Sequence, residues 1–228
     1  MSPVLQLDNL RVGYSGEVEA LNGIDLEVGT GQRVALLGLN GSGKSTLLLA
    51  AAGLIPHSGT VRVAGEELTP TSANRIRRRV GLVFSVPEDQ LLFPEVVEDV
   101  AFGLVNRGIA VPEAKRQAER ALDQLEASEL AGRSPYELSH GERLRVALAG
   151  AIVTEPAVLL LDEPAAGLDP PTKRRLAELL TTLPSGMLIA THDLQFARLC
   201  CHDFVLLDRG RLRERAPIEQ ASDSLWSE

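Results

Sequence analysis

The sequence predicts an α/β fold in which a mostly parallel sheet is flanked by helices. One observation is that an apolar strand, Arg33–Leu37, leads through a glycine-rich loop into a Leu- and Ala-rich helix. A second is that short apolar strands alternate with helical segments in the last third of the chain, which is the order expected for a parallel sheet. These segments are Val158–Leu161, Lys173–Leu183, Met187–Ala190, Phe196–Cys201 and Phe204–Leu207.

The first two thirds of the chain are predicted to be β-rich and then helical. Apolar residues alternate with polar ones near the N-terminus, which is typical of half-buried strands: Leu5, Leu7, Leu10, Val12, Tyr14, Ile24, Leu26, Val28, Val61 and Val63. Val80–Phe84 is predicted to be a buried strand. Residues 95–135 are predicted to be helical, with Pro112 near a helix start. One apolar helix face follows it: Ala114, Ala118, Ala121, Leu122 and Leu125.

Composition limits the classes of function. The chain has 228 residues, a formal net charge of −8 and 44% apolar residues. An acidic chain offers no electrostatic case for binding nucleic acid. No apolar run is long enough to span a bilayer, and the N-terminus lacks the pattern of a signal peptide. We therefore expect a cytosolic chain that, if it works at a membrane, is a peripheral subunit on the cytoplasmic side.

The glycine-rich loop carries the strongest chemical signal. It matches G-x-x-x-x-G-K-[ST] without a gap, through Gly38, Leu39, Asn40, Gly41, Ser42, Gly43, Lys44, Ser45 and Thr46. Glycines allow backbone N–H groups to surround a polyphosphate, and the following helix adds partial positive charge. Lys44 is predicted to reach the outer phosphates, and the Ser45 hydroxyl to ligate Mg²⁺.

Further motifs follow in a fixed order. The strand Val158–Leu161 ends in two acids, of which Asp162 is suited to hold Mg²⁺ and Glu163 to act as the general base for an attacking water. Leu138-Ser139-His140-Gly141-Glu142 opens a helix, whose N-terminus is an anion site. Asp169 lies shortly after the acids, and His192 follows the strand Met187–Ala190.

This order of motifs resembles the nucleotide-binding subunits of ATP-binding cassette (ABC) transporters over essentially the whole chain. The resemblance implies a P-loop fold with an N-terminal antiparallel subdomain and a helical subdomain at about residues 86–150, inserted in a single domain of residues 1–228. It implies ATP and Mg²⁺ as cofactors. It also implies roles for individual residues: Tyr14 stacks on adenine, Ser139, His140 and Gly141 contact the ATP of a second subunit, Asp169 is the D-loop aspartate, and His192 senses the γ-phosphate.

Two departures from the family pattern stand out. The family commonly has glycine at the position of His140 and glutamine at the position of Glu142. After the strand Val80–Phe84 the family has a glutamine that touches Mg²⁺ and the attacking water, whereas this chain has Ser85. Gln90 lies five residues further on. The sequence leaves open whether Gln90 replaces that glutamine or Ser85 is a tolerated loop residue.

The segment after Ser85 resembles one group of proteins within this family. Val86–Phe93 and Val97–Leu104 are similar to the ATPases of energy-coupling factor (ECF) importers, which take up cobalt, nickel or vitamins. We therefore expect an ATP hydrolase paired with a second copy or a homologous ATPase, and with transmembrane subunits. Apolar residues in segment 85–107 are expected to dock those subunits, or else to pack the helical subdomain: Leu91, Leu92, Phe93, Val96, Val97 and Phe102.

Other classes with the same loop are less consistent with the sequence. Soluble ABC ATPases of DNA repair insert a long coiled coil between the phosphate loop and the signature motif, which corresponds to Ser139–Gly141 here. The region between Lys44 and Ser139 has no sustained heptads. Those of translation carry two cassettes in a chain. A small-molecule kinase would not need Ser139–Gly141 or His192. A soluble ABC ATPase without a membrane partner remains the alternative.

Overall fold

The computed structural model describes residues 3–13 and 19–222, and it contains two sheets with helices on both faces of the larger one. The strands are Pro3–Gly13 (β1), Glu19–Gly29 (β2), Arg33–Leu37 (β3), Ser58–Val63 (β4), Glu66–Glu67 (β5), Val80–Val83 (β6), Val158–Asp162 (β7), Gly186–Thr191 (β8), Asp203–Asp208 (β9) and Arg211–Pro217 (β10). The α-helices are Lys44–Ala51 (α1), Ala73–Arg77 (α2), Val96–Val105 (α3), Val111–Gln124 (α4), His140–Ile152 (α5), Pro170–Thr182 (α6) and Leu194–Cys200 (α7).

The smaller sheet is antiparallel with the order β2-β1-β4-β5, and the larger has the order β10-β9-β3-β8-β7-β6. Strands β9, β3, β8, β7 and β6 run parallel, and β10 pairs antiparallel with β9. The predicted fold class, a mostly parallel sheet with an N-terminal antiparallel sheet, is confirmed. In this arrangement the carboxyl ends of β3, β7 and β8 lie side by side, which is where open α/β sheets bind ligands.

Central strands of the large sheet are buried on both faces, so their side chains divide between two apolar cores. In β7, Leu159 and Leu161 pack with the helices α3 to α7, whereas Val158 and Leu160 pack against α1 and the antiparallel sheet. The period-two alternation of side-chain direction explains this division. The continuous apolar sequence of β7 therefore serves both cores.

Helix starts agree with local capping chemistry. Ser139 caps α5 in a capping box with Glu142, and Asp169 caps α6, with Pro170 as its first residue. That helix begins three residues before the predicted start at Lys173. The predicted strand Val80–Phe84 ends at Val83.

Between β6 and β7 the chain forms α3, α4 and α5, which pack on one another and on one face of the sheet. The apolar residues of segment 85–107 divide here. Leu91, Val96 and Val97 are buried in the core, so for them the packing alternative is correct. Leu92 is 75% exposed and Phe102 is 47% exposed. Within the described residues, no helix is long and apolar enough to span a membrane.

Candidate functional site

The loop between β3 and α1 has the geometry of an anion cradle. Gly43 precedes α1 with φ of 108°, and no side chain caps the first-turn N–H groups. A Cβ atom at Gly43 would lie 2.9 Å from the Ala20 carbonyl oxygen, and one at Gly38 would lie 2.5 Å from that of Leu207. Both positions therefore require glycine. The uncapped helix N-terminus is suited to bind phosphate oxygens.

A cavity of about 690 Å³ opens beside this loop. Besides two loop glycines, its lining includes six residues that the sequence predicts for nucleotide binding, magnesium binding or catalysis. It also includes Ser85 and four residues that sequence reasoning missed. The lining is Glu19, Ala20, Asn40, Gly41, Gly43, Lys44, Ser45, Thr46, Ser85, Asp162, Glu163, Arg209 and Gly210. Three predicted loop residues, Gly38, Leu39 and Ser42, support the cradle without lining it.

The residues that sequence reasoning missed come from the start of β2 and the β9–β10 turn. The Gly210 N–H donates to the Ser42 carbonyl at 3.0 Å, and the Gly210 carbonyl accepts from the Asn22 N–H at 2.7 Å. Arg-Gly in a short turn was the available sequence signal, but only the pairing of β9 with β3 brings that turn beside the phosphate loop. Tyr14, predicted to stack on adenine, lies outside the described residues.

Glu163 lies at the centre of a polar cluster. Its Oε1 is 3.4 Å from Lys44 Nζ and 3.0 Å from His192 Nδ1, and its Oε2 accepts from Thr191 Oγ1 at 3.1 Å. Lys44 Nζ also donates to the Gly38 carbonyl at 2.8 Å. The backbone of Glu163 has φ of 47°, an uncommon conformation for a non-glycine residue and one that concentrates at functional sites. The structure thus brings together the predicted base Glu163, Lys44 and the histidine His192 that is predicted to sense the γ-phosphate.

Asp162 has the properties of a metal ligand. It is 7% exposed, and its Oδ1 is buried without a hydrogen-bond partner among the described residues. Burial raises the pKa of this carboxyl, while a hydrogen bond with Ser45 opposes the change. A carboxylate beside a hydroxyl fits Mg²⁺, which is commonly held by one or two protein oxygens plus phosphate oxygens. The described residues contain no cluster of three or more His, Cys, Asp or Glu side chains for a metal.

Ser85 and Gln90 have different positions relative to this site. Ser85 is exposed and lines the cavity with Asp162 and Glu163. The Gln90 side chain is bound to the end of β6: its Oε1 accepts from the Phe84 N–H at 2.9 Å, and its Nε2 donates to the Leu82 carbonyl at 3.0 Å. To reach the cavity, Gln90 would have to leave both backbone groups without these partners.

A second cavity, of about 590 Å³, lies between α5 and α6. It is lined by four predicted site residues: Ser139, His140, Gly141 and Asp169. No lining residue is shared with the first cavity. One chain therefore does not bring these residues together with Lys44 and Glu163.

Hydrogen bonds order the rim of this second cavity. The Ser139 Oγ and N–H both donate to Glu142 Oε2 at 2.7 Å, and these bonds lower the pKa of Glu142. Asp169 accepts from the Thr172 N–H at 3.0 Å, which is the main cause of its lowered pKa. Both acids are therefore held in their anionic form near neutral pH.

Comparisons with known proteins agree with this geometry. Residues 21–166 match the family model described as ABC transporter. The chain is 40% identical to the energy-coupling factor transporter ATP-binding protein EcfA of Methanosphaera stadtmanae, over 93% of this chain and 78% of that protein.

Two solved structures are also similar. CbiO1 of Clostridium perfringens, described as part of the ABC transporter complex cbiONQ, has a TM-score of 0.88 and 32% identity, covering 96% of this chain and 90% of that one. The dimeric ATP-binding cassette MJ0796, in a post-hydrolysis state bound to ADP and Pi, has a TM-score of 0.83 and 27% identity, covering 94% and 98%. This chain belongs to the ABC transporter family as an ATP-binding subunit, the class of ATPase that couples ATP hydrolysis to transport.

Proposed function

We propose that this chain is the ATP-hydrolysing subunit of an ECF-type importer for a small solute, either a transition-metal ion such as cobalt or nickel, or a vitamin. The similarity to EcfA and CbiO1 supports the importer class. The observation that carries the hydrolase assignment is the cluster of Glu163, Lys44 and His192 beside the phosphate cradle. A single domain with the helical insertion at about residues 86–150 is part of this proposal.

In the proposed reaction, the loop 38–46 holds the phosphates of ATP, and Lys44 exchanges its bond to the Gly38 carbonyl for the outer phosphates. Ser45 and Asp162 would hold Mg²⁺, which supplies charge neutralisation for the β- and γ-phosphates. Glu163 accepts a proton from a water molecule, whose oxygen attacks the γ-phosphorus. The bond between that phosphorus and the bridging oxygen breaks, and ADP and phosphate leave. His192 orients the Glu163 carboxylate from the other side.

We also propose that two ATPase subunits enclose two ATP molecules. The separation of the two cavities supports this arrangement, because Ser139, Gly141 and Asp169 would then complete the site of the opposite subunit. A two-fold pair is the commonest symmetric oligomer, and the similar cassette MJ0796 is dimeric. Since this chain carries every proposed site residue, two copies would make two complete sites; a homologous ATPase is the other possible partner.

The transmembrane subunits are proposed to dock on an apolar surface formed by the exposed residues Leu92 and Phe102 and the half-buried Phe93. The ring centroids of Phe93 and Phe102 are 5.1 Å apart, and the neighbouring residue Leu92 is 75% exposed. Exposed apolar patches often mark interfaces. The chain would then lie peripherally on the cytoplasmic side of the cell membrane.

Glu163→Gln tests the hydrolase assignment. This variant keeps the side-chain shape but cannot accept a proton, so turnover should fall by roughly 10² or more while ATP binding is retained. Sedimentation with ATP should show a trapped dimer. Turnover near the parent rate would refute the role of Glu163.

The importer assignment needs a separate test. Co-expression with candidate membrane subunits, followed by pull-down and reconstitution in proteoliposomes, should yield a complex whose ATPase supports uptake of Co²⁺, Ni²⁺ or a vitamin. Recovery of ribosomes or DNA in place of membrane subunits would instead support the soluble class.

A further inference from the structure

His140, at the first turn of α5, connects segments that are far apart in the sequence. Its Nε2 lies 3.1 Å from the Ala166 carbonyl oxygen, and its Nδ1 lies 3.6 Å from Glu88 Oε1. Because a carbonyl oxygen can only accept, Nε2 carries the proton in this bond. The glycine that is common at this position in the family has no side chain to make either contact.

On one side, His140 contacts the segment that begins with the proposed base. The Glu163 N–H donates to the Ala190 carbonyl at 2.8 Å, and the Ala166 N–H donates to the Glu163 carbonyl at 3.0 Å. The same segment ends at Asp169, the cap of α6. A hydrogen bond to Ala166 therefore acts on the short turn between the base and the D-loop aspartate.

On the other side, His140 faces an acid held by arginine. Arg143 Nη1 donates to Glu88 Oε1 at 2.8 Å, and this bond is the main cause of the lowered pKa of Glu88. Arg143 also donates to the carbonyl of Pro135 at 3.0 Å. Glu88 belongs to the turn Pro87–Gln90 and lies three residues beyond Ser85, which lines the first cavity. The imidazole thus lies between two loops that each lead to the first cavity.

We propose that His140 is a positioning residue that holds the Glu163–Asp169 segment of its own subunit against the N-terminus of α5. When Ser139 contacts the ATP bound by the opposite subunit and moves, the His140 side chain would transmit this movement to the segment that contains Glu163. The expected effect of His140 on turnover rests on the proposed two-subunit arrangement. The contact itself can be tested in the isolated subunit.

The first experiment measures amide hydrogen exchange in peptides that cover residues 163–169, for the parent protein, His140→Gly and His140→Gln. Gln is the matched control because its Nε2 can donate to the Ala166 carbonyl. Loss of the bond should raise exchange in this segment by about fivefold in His140→Gly, with little change in His140→Gln. Equal exchange in all three proteins would overturn the proposal, whatever their ATPase activity, so this outcome is distinct from a failure of the proposed function.

The second experiment separates positioning from direct contact with ATP. Two differently tagged copies form a mixed dimer in which one chain carries Glu163→Gln. Only the site that contains the Glu163 of the other chain then hydrolyses ATP. His140→Gly is placed either in the chain that retains Glu163 or in the chain that lacks it. Positioning predicts that kcat falls about tenfold, at unchanged KM, only when both His140→Gly and the active Glu163 are in the same chain.

A fall confined to the opposite arrangement, or a raised KM alone, would show that residue 140 acts on the nucleotide across the interface and would refute the proposal. Restoration by His140→Gln in the same-chain arrangement is the expected rescue. Were the parent protein itself inactive, the proposed function would fail, and the exchange measurement would still decide whether His140 holds the segment.

Discussion

The Nδ1 of His192 lies 3.0 Å from Glu163 Oε1, although His192 follows β8 and Glu163 follows β7. The contact arises because β7 and β8 are parallel neighbours, so that the residues following each strand meet at the same edge of the sheet. Glu163 Oε2 also accepts a hydrogen bond from the Thr191 hydroxyl at 3.1 Å. The carboxylate is thus oriented from β8 and held within 3.4 Å of Lys44 Nζ.

This relationship predicts that His192→Ala slows turnover and spares affinity. Removal of the imidazole releases one side of the Glu163 carboxylate, and misplacement of a catalytic group by about 1 Å can cost 10²-fold. Steady-state kinetics should show a reduced kcat, and ATP titration an unchanged Kd. His57→Ala is the control, since His57 lies outside both cavities. A Kd raised in step with the loss of kcat would contradict this role.

Ser85→Gln should raise turnover more in the assembled complex than in the isolated subunit. A longer side chain at this cavity-lining position would supply an oxygen near Asp162 and Glu163, where it can position the attacking water. Mg²⁺ and ATP affinity should change little, since water can complete the metal's coordination. Turnover assays of both proteins, alone and assembled, provide the measurement; equal rates in both settings would mean that Ser85 is neutral.

Gln90→Ala is the companion variant. Its side chain binds the backbone of Leu82 and Phe84, so its removal should lower the free energy of unfolding by about 1–3 kcal/mol. Denaturant titration measures this loss. Unchanged stability combined with lost turnover would instead assign Gln90 the role of the family glutamine.

Leu92→Glu should weaken assembly with the membrane subunits while leaving the fold intact, because Leu92 is exposed in the proposed docking surface. Co-purification with those subunits measures assembly, and ATP titration checks the fold. Leu199→Glu is the matched control, because Leu199 is also an exposed leucine, with 50% of its surface accessible, but it lies on α7. Insolubility of Leu92→Glu, or equal loss of assembly in both variants, would contradict the docking role.

Asp99→Asn should be at least as stable as the parent protein at neutral pH. Burial raises the pKa of Asp99. Its Oδ2 has no hydrogen-bond partner within residues 3–13 and 19–222, while its Oδ1 accepts from the N–H groups of Leu92 and Phe93. Asn retains the acceptor and removes the partly buried charge. A raised folded pKa means that the parent protein loses stability as pH rises from the unfolded pKa, about 3.9, through the folded one.

The advantage of Asp99→Asn should therefore disappear at acid pH, where Asp99 is protonated in both states. Asp99→Ala, which removes the acceptor, should lose about 1–2 kcal/mol at neutral pH. Denaturant titrations at several pH values measure both effects. A destabilised Asp99→Asn at neutral pH would indicate that the ionised form is needed.

The sequence by itself determined the local elements and much of the proposed chemistry. The phosphate loop is a contiguous motif whose glycine positions require glycine in the structure, as at Gly43. The strand before Asp162 and Glu163 is recognisable in the sequence as a continuous apolar run, because a strand that is buried on both faces has apolar residues at every position. The helix that opens after Ser139 is likewise a local feature, because the Ser139 side chain forms a capping box with Glu142.

Only the tertiary structure decided which distant residues meet. The pairing of β9 with β3 brings Arg209 and Gly210 to the nucleotide cavity, and no local pattern encodes that pairing. The binding of Gln90 to β6, the division of the 85–107 segment into buried and exposed residues, and the contact of His140 with Ala166 likewise depend on long-range packing. The physical reason is that periodicity and motif spacing report a residue's neighbours along the chain, whereas these contacts depend on how sheets and helices pack across it.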